Sequence, residues 1–281
     1  MKINQSMSAF LHILVNYRND AETAKFLEHC LKLADSEKGT FFIANNSAKN
    51  FDDDSFSHFE SSPHHQVNVF NYPDNPGYFP AAQRCLQPLK AKNYQFVILS
   101  NTDLEILNHN FYSILLGTPP HKELGAIAPS VRSGLSGKEC NPLYWTRPSK
   151  QKINFLNKIY SDFYIAWVYH LLSFLKTILV TNKKIFSGQS VYAPNGCFLI
   201  LTGRYFDMGG DFAHGVRLYG EEIVLAEKLR TMGLKVILEP SLRVFHREKG
   251  SEIFWWHRLT ISRQTFEFKK EAAHLLFNIF H

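Results

Sequence analysis

Short apolar runs recur along this chain, each closed by a polar turn and separated from the next by residues at helical spacing. That alternation restricts the fold more than any other feature. Runs such as Phe96-Val97-Ile98-Leu99 are apolar at every position, which a strand tolerates only when both of its faces are covered. The pattern predicts an α/β fold with a mostly parallel sheet flanked by helices. Strands are expected over Leu11–Val15, Thr40–Ala44, Val67–Phe70, Phe96–Leu99, Gly125–Ala128, Cys197–Leu201, Lys235–Leu238 and Arg243–His246. Helices are expected over Asp20–Ala34, from Pro80 with Pro88 as its limit, over Phe163–Val180, and over Glu221–Met232 with Gly233 as its cap. The tail from Ser251 to His281 reads as two helical pieces. With 281 residues, 45% of them hydrophobic, the chain can bury a full core without disulfide or metal staples.

Four cysteines, Cys30, Cys85, Cys140 and Cys197, stand far apart without metal-binding spacing, and reduced thiols are expected. The first apolar run, Ala9–Val15, is short and interrupted by His12, so it reads as a buried strand rather than a secretory leader. A cytoplasmic protein is therefore expected, with the option of a peripheral seat on the inner face of the cell membrane. A net charge of +6 favours anionic partners. Nucleic acid is set aside because no base-reading module is visible. A nicotinamide dehydrogenase is set aside because no early strand is followed by G-x-G-x-x-G. A nucleotidyltransferase would need a glycine-rich loop after the first strand, where Asn16–Asp20 stand instead.

Three patterns can carry chemistry. Leu99-Ser100-Asn101-Thr102-Asp103 ends a buried strand in two oxygen-bearing side chains, at the sheet edge where α/β folds bind ligands. Residues two apart point the same way and can face one hard cation, although an ordinary turn gives the same pattern. Tyr219-Gly220-Glu221-Glu222 opens a helix with adjacent acids, which suits a general base and equally suits the helix dipole. His246 closes Val244-Phe245-His246 and is either structural or a metal ligand.

The order of these patterns resembles that of the inverting family-2 glycosyltransferases with the GT-A fold, rhamnosyltransferase-like members above all. The likeness runs over residues 10–250. It is carried by Val15-Asn16-Tyr17-Arg18, Asn45-Asn46-Ser47, Asn75-Pro76-Gly77-Tyr78, Asn101-Thr102-Asp103, Gly209-Gly210-Asp211, Gly220-Glu221-Glu222 and Val244-Phe245-His246. The resemblance implies transfer of a sugar with inversion from a nucleotide diphosphate donor, UDP- or dTDP-linked, in cell-surface polysaccharide biosynthesis. The acceptor would be a glycan or a lipid-linked glycan. Asn16, Tyr17, Arg18, Asn45, Asn46, Asn75, Gly77 and Asn101 would bind the nucleotide sugar. Asp103 and His246 would hold Mg²⁺ or Mn²⁺. Glu222, preceded by Glu221, would be the catalytic carboxylate, and Asp211, Phe212 and Tyr219 would meet the acceptor. Arg18 or Arg217 could add positive charge near the phosphates. The implied layout is a GT-A domain over 1–250, with a nucleotide-sugar half at 1–105 and an acceptor half at 106–250. A helical insertion falls at about 150–185 and a helical tail at 251–281. Ala44, Gln83, Asn101 and Val224 depart from the family pattern, which leaves a catalytically decayed binding or scaffold subunit as the alternative.

The stretch Phe163–Val180 is near the lower length for a membrane span. His170, Ser173 and Thr177 place polar groups on one helical face, and basic residues (Arg147, Lys150, Lys152, Lys158, Lys183, Lys184) flank it. It suits either an anionic membrane surface or a buried or subunit contact. Trp255, Trp256, Arg258, Arg263, Lys269 and Lys270 give the tail the same two readings.

Overall fold

The computed structural model describes residues 9–34, 37–51, 65–87, 89, 91–119, 121–179, 184–248 and 261–281. Pro88, Val180, Lys183, Trp255, Trp256 and Arg258 lie outside them. The strands are β1 (Phe10–Asn16), β2 (Gly39–Asn45), β3 (His65–Asn71), β4 (Phe96–Ser100), β5 (Leu104–Ile106), β6 (Leu124–Ser133), β7 (Ser190–Val191), β8 (Phe198–Thr202) and β9 (Lys235–His246). The helices are α1 (Asp20–Leu33), α2 (Tyr78–Leu86), α3 (Phe111–Leu116), α4 (Lys150–Ile159), α5 (Phe163–Leu179), α6 (Gly203–Asp207), α7 (Glu221–Thr231) and α8 (Arg263–Phe280).

The nine strands of the described residues form one sheet in the order β3-β2-β1-β4-β8-β6-β9-β5, with β7 on β9. The mixed α/β architecture is the expected class. Pairing is parallel from β3 to β4 and turns antiparallel where β8 inserts between β4 and β6. Alternate residues of β1 feed two cores. Phe10 and Leu14 pack beneath α1 and α3, while Leu11 and Ile13 pack beneath α2 and α7. His12 interrupts the apolar run without opening it, because its ring nitrogens lie 3.0 Å from the Tyr112 hydroxyl and 2.9 Å from Ser100 Oγ. Burial lowers its pKa to about 3, so the ring is neutral.

Two expected elements differ in form, and of the two helical pieces expected in the tail only the second falls within the described residues. Helix α2 begins at Tyr78, two residues before Pro80, because the missing proline N–H falls in the first turn, where no intrahelical partner exists. The segments Lys235–Leu238 and Arg243–His246 are one strand. Pro240 cannot donate to the ladder, and the register on β6 jumps there from Glu239 to Arg243 while β6 advances from Pro129 to Ser130. The described tail is a single helix, capped by Ser262 Oγ accepting from the Thr265 amide at 3.0 Å. Helix α8 packs on α4 and α5. It is bound to α7 by Arg147, whose guanidinium lies 4.2 Å from the Phe280 ring centroid and forms paired bonds of 2.8 Å to Glu227. All four cysteines are free thiols.

Helix α5 turns an apolar face to solvent: Tyr164, Ile165, Val168, Leu172 and Leu175 are exposed, while Ala166 is buried beside Ile261 and Phe266. The reading of this segment as a buried helix does not hold for that face. Among the described residues no helix is long and apolar enough to cross a membrane.

Candidate active site

A cleft of about 610 Å³ opens over the carboxyl ends of β1, β2 and β4, the edge where α/β sheets present ligand sites. Its first wall is the β1–α1 loop and the turn after β2. Val15, Tyr17 and Asn46 line the cleft, whereas Asn16 and Asn45 are fully buried beneath it. The two buried amides spend their capacity on the loops. Asn16 Nδ2 donates to Asp20 Oδ1 and Asn45 Oδ1 at 2.7 and 3.0 Å, and its Oδ1 accepts from Asn19 N and Thr23 Oγ1. Asn45 Nδ2 donates to Lys49 O and Asn71 Oδ1. They shape this wall of the cleft rather than face it. Arg18 adopts φ 56°, a left-handed conformation unusual for its type. Its amide donates to Ser47 Oγ, and its guanidinium sits 5.0 Å from the Tyr17 ring.

Asn46 Nδ2 donates to Gly77 O at 3.0 Å, while its buried Oδ1 has no partner among the described residues. A buried unpartnered acceptor on a cleft wall marks a place for a ligand donor. Asn75 and Gly77 continue this wall with φ of 43° and 110°. A Cβ on Gly77 would lie 2.1 Å from the Arg217 carbonyl oxygen, so only glycine lets the two segments approach this closely.

Asp103 and His246 are distant in sequence and meet through sheet register. β5 pairs antiparallel with β9 so that Leu104 faces His246, and the Arg247 amide donates to Asp103 O at 2.9 Å. His246 Nε2 then lies 3.3 Å from Asp103 Oδ1. His246 and Asn101 line the cleft, and Asp103 contacts His246 without lining it. Two ligands at right angles, each about 2.1 Å from a small divalent cation, are separated by about 3.0 Å, close to the observed gap. The carboxylate and imidazole therefore fit Mg²⁺ or Mn²⁺ in chemistry and spacing. Among the described residues no cluster of three or more His, Cys, Asp or Glu could enclose a metal alone, so substrate oxygens would have to complete the shell.

Two acids of α7 line the same cleft. Gly220, at φ 80°, opens α7, and both Glu221 and Glu222 reach the cleft. Burial raises the Glu221 carboxyl to about 7, with the neighbouring Glu222 charge adding to the rise. Burial also raises Glu222, against the pull of its own amide and that of Gly196. Gly196 is a residue the sequence reading missed. A Cβ there would stand 2.6 Å from Glu222 Oε1, and its carbonyl accepts from the Tyr78 hydroxyl at 2.9 Å. The local signal was the Asn195-Gly196 turn directly before β8. Gln264 and Phe268 of α8 also face the cleft, with Phe268 5.5 Å from the Arg217 guanidinium.

Of the three residues expected at the acceptor, Tyr219 lines the cleft and is part exposed. Phe212 does not: it is fully buried against Phe79 and Phe206, with ring centroids 5.2 and 5.9 Å away, so it cannot stack on a ligand. Asp211 is also off the cleft, engaged by Lys228 and the Ala213 amide. Gln83 holds this loop by accepting from the Phe212 amide at 2.8 Å.

No protein-family model and no curated protein matches the sequence. Solved structures match it by shape. Mannosyltransferase PcManGT from Pyrobaculum calidifontis, in complex with GDP-Man and Mn²⁺, aligns with a TM-score of 0.56 at 11% identity, covering 98% of this chain and 70% of that one. GalNAc-T7 with UDP, GalNAc and Mn²⁺ aligns at 0.55 and 14% identity, over 86% of this chain and 44% of that one. S. aureus TarS aligns at 0.55 and 10% identity, over 84% and 36%. The chain thus spans less than half the length of the latter two. With its nine-stranded sheet, flanking helices and a site at the sheet's carboxyl edge, the chain has the GT-A glycosyltransferase fold.

Proposed function

We propose that this protein is an inverting, metal-dependent glycosyltransferase that moves a sugar from a nucleoside diphosphate to a hydroxyl of a glycan or lipid-linked acceptor. The observation that carries the reading is one cleft lined by His246, whose imidazole contacts Asp103, and by both Glu221 and Glu222. Two similar structures hold UDP or GDP-Man with Mn²⁺, which supports a nucleoside diphosphate donor. The unpartnered Asn46 Oδ1 would accept from an N–H of the base or a hydroxyl of the ribose, and the UDP- or dTDP-linked sugar is the donor that the motif order implies. Tyr17, Asn75 and Gly77 would flank the base and ribose, with Asn101 toward the sugar phosphates.

Asp103 and His246 would hold Mg²⁺ or Mn²⁺, which supplies positive charge against the departing diphosphate. Arg217, facing the same cleft, would add to that field. Glu222 takes the proton of the acceptor hydroxyl as that oxygen bonds to the anomeric carbon from the face opposite the leaving group. The bond to the diphosphate oxygen breaks with its electron pair, and the configuration inverts. Because burial raises the Glu222 pKa, its carboxylate is a stronger base once ionised, and the rate falls on acidification as it protonates. Tyr219 would border the acceptor. The exposed apolar face of α5, with Lys158 and Lys184 nearby in a chain of net charge +6, supports a peripheral seat on an anionic membrane; flotation with acidic but not neutral liposomes tests it.

Transfer assays with Glu222→Gln test the chemistry. Loss of transfer by at least about 10²-fold with nucleotide binding retained is expected; normal transfer would move the base elsewhere. A folded wild-type protein that binds nucleotide with Mn²⁺ yet neither transfers nor hydrolyses any donor would favour the decayed scaffold.

A further inference from the structure

A second cavity, of about 180 Å³, lies behind the cleft and shares Tyr219 and Glu222 with it. Its other walls come from α4 and α8: Ile153, Leu156 and Tyr160 on one side, Ala272, Ala273 and Leu276 on the other. The lining is apolar apart from Glu222 and one cation, Lys269. The Lys269 ammonium sits 5.3 Å from the Tyr219 ring centroid and 6.0 Å from that of Tyr160. Burial lowers its pKa, and no acid contributes to its environment. Glu222 is the one carboxylate of the lining, and Lys269 makes no ion pair among the described residues, so this cation in an apolar wall is costly unless a ligand supplies an anion.

We infer that this chamber binds the non-sugar end of the acceptor: an apolar chain of roughly six carbons' reach seats between α4 and α8, while the anionic group that joins it to the glycan pairs with Lys269. The inference rests on the reading of Glu222 as the acceptor's base, because Glu222 forms the wall common to both cavities. An acceptor hydroxyl at Glu222 then has its donor sugar on the cleft side and its anchor on the chamber side. The ligand class is a phosphate ester of an apolar alcohol. The volume sets the chain length, since about six water-sized groups at about 30 Å³ each fill 180 Å³.

Titration calorimetry with monoalkyl phosphates from ethyl to decyl, kept below their micelle concentrations, tests this without any donor. Each added methylene should tighten binding about fourfold up to about hexyl, after which affinity levels off. Octyl glucoside, lacking the anion, should bind at least tenfold more weakly than octyl phosphate, and inorganic phosphate alone should not bind measurably. Lys269→Gln should weaken octyl phosphate about tenfold or more and leave octyl glucoside unchanged. Ala273→Phe and, from the opposite wall, Leu156→Trp should each abolish the chain-length dependence; UDP binding with Mn²⁺ measured on the same samples shows that the variant is folded. No binding by any alkyl phosphate, a rise that continues through decyl, or indifference to both wall variants would overturn the inference. Those results leave the transferase reading standing. Chain-length-dependent binding by a protein that binds no nucleotide would sink the transferase reading and leave the chamber an alkyl phosphate site without an acceptor's role.

Discussion

Replacing Glu221 with glutamine should stabilise the protein, and only on the alkaline side. Glu221 is 7% exposed, at the first turn of α7 beside Glu222. Burial, followed by its neighbour's charge, raises its carboxyl from 4.5 to about 7. A carboxyl whose folded pKa lies above its unfolded one holds its proton more tightly when folded. Its favourable contribution is therefore complete below about 4.5 and is lost as pH climbs through about 7. At 1.36 kcal/mol per unit, a rise of about 2.5 units costs the wild type about 3 kcal/mol at pH 8. Glutamine keeps the shape and removes the titration. Urea unfolding of both proteins from pH 4 to pH 9 should give curves that coincide at the acid end and diverge between about 4.5 and 7. Above that they should run parallel, with the variant more stable by up to about 3 kcal/mol. A difference that is constant with pH, or a variant less stable at pH 8 than at pH 5, would refute the buried-acid argument.

Glu227 has the opposite sign. Burial alone would raise it, but hydrogen bonds from Arg147, Arg230 and Tyr192 outweigh that and hold it at about 2, so Glu227→Gln should cost about 3 kcal/mol at pH 7 and progressively less as pH falls from 4.5 toward 2, read by the same unfolding curves. Gly77→Ala should displace the Arg217 backbone and the Asn46–Gly77 bond, costing about 1–3 kcal/mol and weakening nucleotide binding at least tenfold by calorimetry. Gly196→Ala should push on Glu222 and lower kcat by at least about tenfold while donor KM changes little. His12→Phe should remove the bonds to the Tyr112 and Ser100 hydroxyls in the core, leaving Tyr112 only its Cys30 contact, and cost about 1–3 kcal/mol, visible as a lower melting temperature with unchanged nucleotide affinity.

What the sequence disclosed and what it concealed follow one rule. Strand ends are local events, and the residues that close them (Tyr17, Asn46, Asn101, Asp103, His246) were legible because a buried apolar run followed by a polar turn has few other meanings. Asn16 and Asn45 were located correctly but given the wrong task, since a sequence does not reveal that two amides satisfy each other beneath a loop. Phe212 follows a glycine-rich loop, and an aromatic there reads alike whether it stacks on a ligand or fills the core; only Phe79 and Phe206 closing over it decide. Phe268, Gln264 and Lys269 were illegible as site residues because they belong to α8, whose return onto α4 and α7 is set by long-range contacts such as Arg147 with Glu227 and Phe280. The likeness in motif order reached the fold; the walls of the site came from tertiary packing.

The central claim is that Asp103, His246 and Glu222 act on one substrate in one cleft. The most direct test is calorimetric titration of UDP and dTDP with and without Mn²⁺ into wild type, Asp103→Ala, His246→Ala and Glu222→Gln, followed by transfer assays on the same samples. Metal-dependent nucleotide binding should vanish in Asp103→Ala, weaken in His246→Ala and persist in Glu222→Gln, which alone should bind and fail to transfer. Nucleotide binding indifferent to Mn²⁺, or unimpaired in Asp103→Ala, would contradict it.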